Sequence, residues 1–201
     1  MEPKKEDIMN KSLKIKRITG IAIFAALILV LDVFTYFIKI TFVNITLALV
    51  PIVVGAIIYG PLAGFILGCV AGFLVFVNPD TIALFWPYGI IITFFICVLK
   101  MGIAGWVSGL IYKFLHNKNK KLAVTLASII VPIVNTGLFA IAAILFYYEL
   151  IESFSPEGQN TIAYLFLSFI GYNFLIEFAV NSLLSPIVLR LANIAQISDD
   201  E

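Results

Sequence analysis

Two side chains of opposite charge stand where a hydrocarbon setting ordinarily forbids them. Lys100 lies within one long apolar run, thirteen residues before Lys113, and Glu177 lies within another, thirteen before Arg190. Charges placed so deep are costly, and they mark either a solute site or a structural pair. Asn173, Glu177, Asn181 and Ser185 follow one another at four-residue steps. That spacing keeps them on one stripe of a helix. Such a stripe cannot face lipid, so it faces a bundle interior or a cavity. Asn135 and Thr136 fall midway along a further run, close to Pro132, whose ring loosens a helix. The chemistry on offer is non-covalent: an ammonium, a carboxylate, amides and a hydroxyl that can hold a polar solute. The structural alternative is a Lys100–Glu177 clamp with amides bonded between helices, worth about 0.6 kcal/mol each. Trp86 follows the loop Asn78-Pro79-Asp80 and would wall a pocket open to the outside. Its neighbours Phe85 and Tyr88, with Tyr147, Tyr148 and Tyr164, suit an interfacial aromatic belt.

These residues need helices to position them, and composition states the medium. Of 201 residues, 62% are hydrophobic and 12% charged, with a mean hydropathy of +1.08. Soluble domains run nearer 45–50% apolar and about 25% charged. One core of this size could not hide so much apolar surface. A soluble enzyme, a nucleic-acid-binding domain and a disordered chain are therefore excluded as defaults. The fold expected is an all-α integral membrane protein, a compact bundle of six transmembrane helices at roughly 18–38, 45–60, 61–78, 86–113, 122–148 and 161–190. Each approaches the ~20 residues that cross the hydrocarbon core, and continuous rather than alternating runs favour helices over a barrel. Tyr59-Gly60-Pro61 predicts a tight helical hairpin between the second and third spans; a re-entrant pair is the alternative.

Lys and Arg orient the bundle. Lys4, Lys5, Lys11, Lys14, Lys16 and Arg17 precede the first span, Lys113, Lys118, Lys120 and Lys121 follow the fourth, and Arg190 closes the sixth. Six spans put all of these on one side and leave Lys39 with Asp80, Glu149, Glu152 and Glu157 on the other. The basic side is cytoplasmic, so both termini are inside. Residues 18–192 form the transmembrane domain, between cytoplasmic tails 1–17 and 193–201. The first apolar run is too long for a signal peptide and lacks a cleavage pattern.

No P-loop and no metal-binding or triad spacing occurs, and His116 sits alone in a basic loop as a solvated residue. Catalysis, cofactors and a metal are not expected in this chain. Cys69 and Cys97, inside apolar runs, read as small buried hydrophobes. Gly64, Gly68 and Gly72, and then Gly102, Gly105 and Gly109, provide small faces for close helix packing within the bundle. Ala22 and Ala26 provide another, packing either internally or on a partner protein.

Six short helices, a basic N-terminus and Ala22-x-x-x-Ala26 resemble the membrane-embedded substrate-binding (S) component of energy-coupling factor (ECF) transporters. The run from Asn44 through Pro51, Gly55, Tyr59-Gly60-Pro61 to Gly64 resembles that family's second-to-third-helix segment. Pro132-Ile-Val-Asn-Thr136 resembles a fifth-helix segment of its pantothenate-like members. The resemblance covers nearly the whole chain. It implies a subunit of the bacterial plasma membrane that binds a vitamin or related micronutrient from outside. Pantothenate leads, with riboflavin, folate, a pyridoxine-like compound or a queuosine precursor open. It further implies partners: a transmembrane coupling subunit, met through Ala22 and Ala26, and two cytoplasmic ATPases. Trp86, Lys100, Asn135, Thr136, Asn173 and Glu177 are the expected substrate-binding residues. A self-sufficient secondary transporter or channel, using the charged pair as an ion relay, is the competing expectation.

Overall fold

The computed structural model describes the backbone of residues 5–37 and 46–199 and the side chains of 14–35 and 46–194. Lys39, Asn44 and most of the two tails lie outside the described side chains. No strand occurs among the described residues. Long helices α1 (Lys5–Phe37), α5 (Ile90–Leu115), α6 (Lys120–Phe146) and α9 (Gly171–Asp199) carry the architecture, with α2 (Leu49–Tyr59), α3 (Pro61–Phe76), α4 (Pro79–Phe85), α7 (Tyr148–Phe154) and α8 (Thr161–Tyr164) between them. Four helical stretches are long and apolar enough to cross a membrane: 14–35, 90–115, 120–146 and 161–194. A fifth, 61–88, is bent by 69° between α3 and α4.

The bend has a local cause. Asn78 caps α4 by accepting from the Asp80 N–H at 3.0 Å, and Pro79 occupies its first turn. A proline there cannot continue the preceding helix. The expected fourth span begins four residues late, at Ile90. Trp86–Tyr88 form a separate 3₁₀ turn, and Gly89 joins it to α5 at a φ of 133° that L side chains rarely adopt. The α2–α3 hairpin forms where Tyr59-Gly60-Pro61 predicts it, with Gly60 at a φ of 91°. At 11 residues, α2 is roughly 16 Å long, about half the hydrocarbon thickness. It is nevertheless the most enclosed helix, with Leu49, Ile52 and Val53 wholly buried and α1, α3, α5, α6 and α9 packed around it. Arg17 closes its end by donating to the Tyr59 carbonyl at 2.7 Å.

The glycines form one seam. A Cβ on Gly64 would strike the Gly105 carbonyl oxygen, one on Gly68 that of Met101, and one on Gly72 that of Cys97, while Gly109 lies against Pro61. These pairings run antiparallel, so α3 and α5 touch backbone to backbone along their length. Ser108 Oγ donates to the Ala127 carbonyl at 2.9 Å and ties α5 to α6. α6 runs unbroken through Pro132. The last span is not one regular helix: α8 passes through a π turn at Leu165–Phe169 before α9 begins. His116 is less solvated than its basic loop predicts. It ends α5, partly buried, with its ring stacked on Tyr112 at 5.2 Å.

Candidate functional site

The polar stripe of α9 lies inside the bundle. Asn173, Glu177, Asn181 and Ser185 are 5%, 4%, 3% and 8% exposed, so the four-residue spacing does keep them on one inward face. Asn181 Nδ2 donates back to the Glu177 carbonyl at 2.9 Å. The Glu177 carboxylate reaches the turn before α2, where its Oε1 accepts from the Thr46 N–H at 2.8 Å. That bond ties the turn leading into α2 to α9 and satisfies a backbone donor that lies outside any helix.

Across from Glu177, α6 contributes Asn135, Thr136 and Phe139. Asn135 is 3% exposed, and its Oδ1 has no donor among the described residues. An amide oxygen buried without a donor costs about 1–3 kcal/mol. It is thus set to accept from a solute. From α5, Lys100 holds its ammonium 5.2 Å from the centre of the Phe139 ring, a cation–π geometry.

Thr46, Lys100, Asn135, Thr136, Phe139, Ile170, Asn173 and Glu177 enclose one cavity. Five of the six substrate-binding residues expected from sequence therefore converge from α5, α6 and α9. Trp86 is elsewhere: its ring stacks on Phe76 at 5.1 Å, and it does not line this cavity. Thr46 and Ile170 escaped sequence reasoning, because nothing in the spacing relates the turn before α2 or the end of a π turn to α6. Phe139 carried a usable signal, since it stands four residues after Asn135 on the same face of α6.

The space open to water centres is about 30 Å3, room for about two water molecules. A vitamin fits only if the walls part. What the arrangement can do chemically is bind: the ammonium pairs with an anionic or carbonyl oxygen, Asn135 Oδ1 accepts a hydroxyl or amide hydrogen, and Glu177 fixes the floor.

The aromatic cluster at the far end is more enclosed than a belt. Tyr147 is 1% exposed, and its hydroxyl bonds Thr93 Oγ1 at 2.8 Å. Phe85 and Tyr164 are also buried, whereas Tyr148 and Tyr88 face outward. Tyr147 caps the bundle because its hydroxyl has a partner there. Ala22 and Ala26 lie on the exposed side of α1. The packed side is formed by Gly20, Phe24 and Ile28, with Tyr59 fitted against Gly20.

The fold and site are those of a helical membrane bundle that gathers buried polar groups around a cavity. The family model for the ECF transporter substrate-specific component matches residues 16–189, and the chain belongs to that family. It is accordingly a substrate-binding subunit of an ECF-type transporter, a class that works with an ECF coupling module and its ATPases. Comparison with curated proteins and with solved structures gives no match.

Proposed function

We propose that this subunit captures a water-soluble vitamin, pantothenate before riboflavin, folate, a pyridoxine-like compound or a queuosine precursor, from outside a bacterial plasma membrane. The observation that carries the reading is the buried cavity where the Lys100 ammonium and the donor-less Asn135 Oδ1 face Glu177. Lys100, Asn135, Thr136, Asn173 and Glu177 hold the solute, and Trp86 contributes a stacking wall when the outer end rearranges. In this reading residues 18–192 cross the membrane six times, with tails 1–17 and 193–201 cytoplasmic. The short, enclosed α2 completes its crossing as part of the hairpin with α3. The segregation of Lys and Arg supports that orientation.

Native mass spectrometry of the gently purified chain tests the substrate. A co-purified vitamin lost on Lys100→Ala and Asn135→Ala is the expected result, and unchanged binding in both variants removes this site. Proton- or sodium-driven uptake into liposomes holding this chain alone would mean a secondary transporter instead.

Ala22 and Ala26 form the contact with the transmembrane coupling subunit, since their outward face leaves a second helix room to approach closely. Ala22→Trp or Ala26→Trp is expected to keep vitamin affinity within about twofold and to abolish transport by the complete transporter. Loss of binding together with transport would place that face inside the bundle.

A further inference from the structure

Beside the polar cavity lies a second, larger space. Ile133, Thr136, Gly137 and Ala140 of α6 face Phe166 of the π turn and Ile170 just after it, and Gly171 and Phe174 of α9 complete the lining. By the same measure it offers about 210 Å3 against about 30 Å3. Its lining is almost wholly apolar, and exposed Ile133 and Phe166 form its rim on the flank of the bundle. Thr136 and Ile170 line both spaces. They are the partition between a polar cavity with little room and a roomier pocket whose lining is almost wholly apolar.

We infer that the two spaces are halves of one ligand site, which takes a small monocarboxylic acid or carboxamide with an aliphatic body. The polar end sits between Lys100, Asn135 and Glu177, and the aliphatic body fills the flank pocket. This deepens the proposed function and rests on it.

Three observations carry the assignment. The first is continuity: the two spaces share Thr136 and Ile170 as walls, so only side chains of these two residues are common to both linings. The second is complementarity: Lys100 and Asn135 Oδ1 together ask for an acceptor beside a donor, as on a hydroxy acid or an amide, and the flank pocket next to their cavity is almost wholly apolar. The third is the backbone at the partition. Ile170 N–H bonds the Leu165 carbonyl at 3.0 Å, five residues back. Gly171 follows, where a Cβ would strike the Phe166 carbonyl oxygen. π turns of this kind recur at functional sites, and this one sets Ile170 where the helix is irregular.

Gly137 provides the test, because a Cβ there meets nothing within 4 Å. Gly137→Leu should fill the pocket while keeping the fold, leucine being a better helix former than glycine. Straight-chain carboxylates from acetate to hexanoate are titrated against the full chain in lipid nanodiscs by saturation-transfer NMR, with empty nanodiscs subtracted. Affinity is expected to rise about fourfold per methylene in the wild type. Gly137→Leu should flatten that rise, and any vitamin that binds should lose at least tenfold. Equal slopes in both proteins overturn the joined site and make the pocket a seat for lipid chains. A vitamin lost on Lys100→Ala but indifferent to Gly137→Leu overturns the apolar half and leaves the binding subunit standing. A slope present in wild type only, with no vitamin of the panel bound, keeps the two-part site and overturns the vitamin assignment.

Discussion

Lys100→Met is expected to weaken vitamin binding by the purified chain at least tenfold and up to about a hundredfold, with the fold intact. The range is that of one hydrogen bond to a charged group, about 1.5–3 kcal/mol. Methionine keeps most of the stem that packs beside Phe139, so the loss reports the ammonium rather than a hole. Its removal also leaves Glu177 as the only formal charge among the described residues that line the cavity, which disfavours a carboxylate ligand further. Asn135→Ala should cost less, about two- to tenfold, because a neutral acceptor is removed. The measurement is isothermal titration of the detergent-purified protein, with thermal unfolding as the folding control. Wild-type affinity in Lys100→Met would make the lysine a structural group and move the site elsewhere. Glu177 is the weaker variant to interpret, because it also holds the Thr46 N–H in the turn before α2.

Gly68→Val is expected to be the most damaging single change outside the site, costing about 3 kcal/mol or more and sharply reducing folded yield. A Cβ at Gly68 would strike the Met101 carbonyl oxygen, with the Gly102 Cα close behind. The obstruction is backbone, so no side chain can rotate away, and α3 and α5 must separate. Overpacking against side chains typically costs 1–3 kcal/mol, and here the lost contact runs along a whole helix pair. Gly137→Val is the internal control, since a Cβ there meets nothing within 4 Å. Thermal unfolding in detergent should show a large drop for the first and little change for the second. Comparable stability of the two would mean the seam has slack that its geometry denies.

Both results depend on features of differing legibility. The α9 stripe was readable because a helix repeats its faces every three to four residues, and four polar groups at that spacing leave only an inward orientation. The glycine seam was readable as small faces, but its register was not. That Gly64 stands opposite Gly105 and Gly72 opposite Cys97 is visible only in the folded bundle. The helix lengths were partly misjudged. Hydropathy cannot tell that Trp86-Pro87-Tyr88 closes a 3₁₀ turn, nor that α2 begins only at Leu49.

The sequence by itself determined the medium, the helical class, the family resemblance and the polar groups of the site, because composition, hydrophobic runs and helical period are local properties. Tertiary structure alone decided which of those groups meet. It brought Lys100, Asn135 and Glu177 to one cavity and set Trp86 against Phe76. It also added Thr46 from the turn before α2, and placed Ile170 between a polar space and an apolar one. The reason is physical: hydropathy and period fix a residue's depth and face on its own helix. The rotation and offset between helices are fixed only when backbones interlock, as they do along the glycine seam.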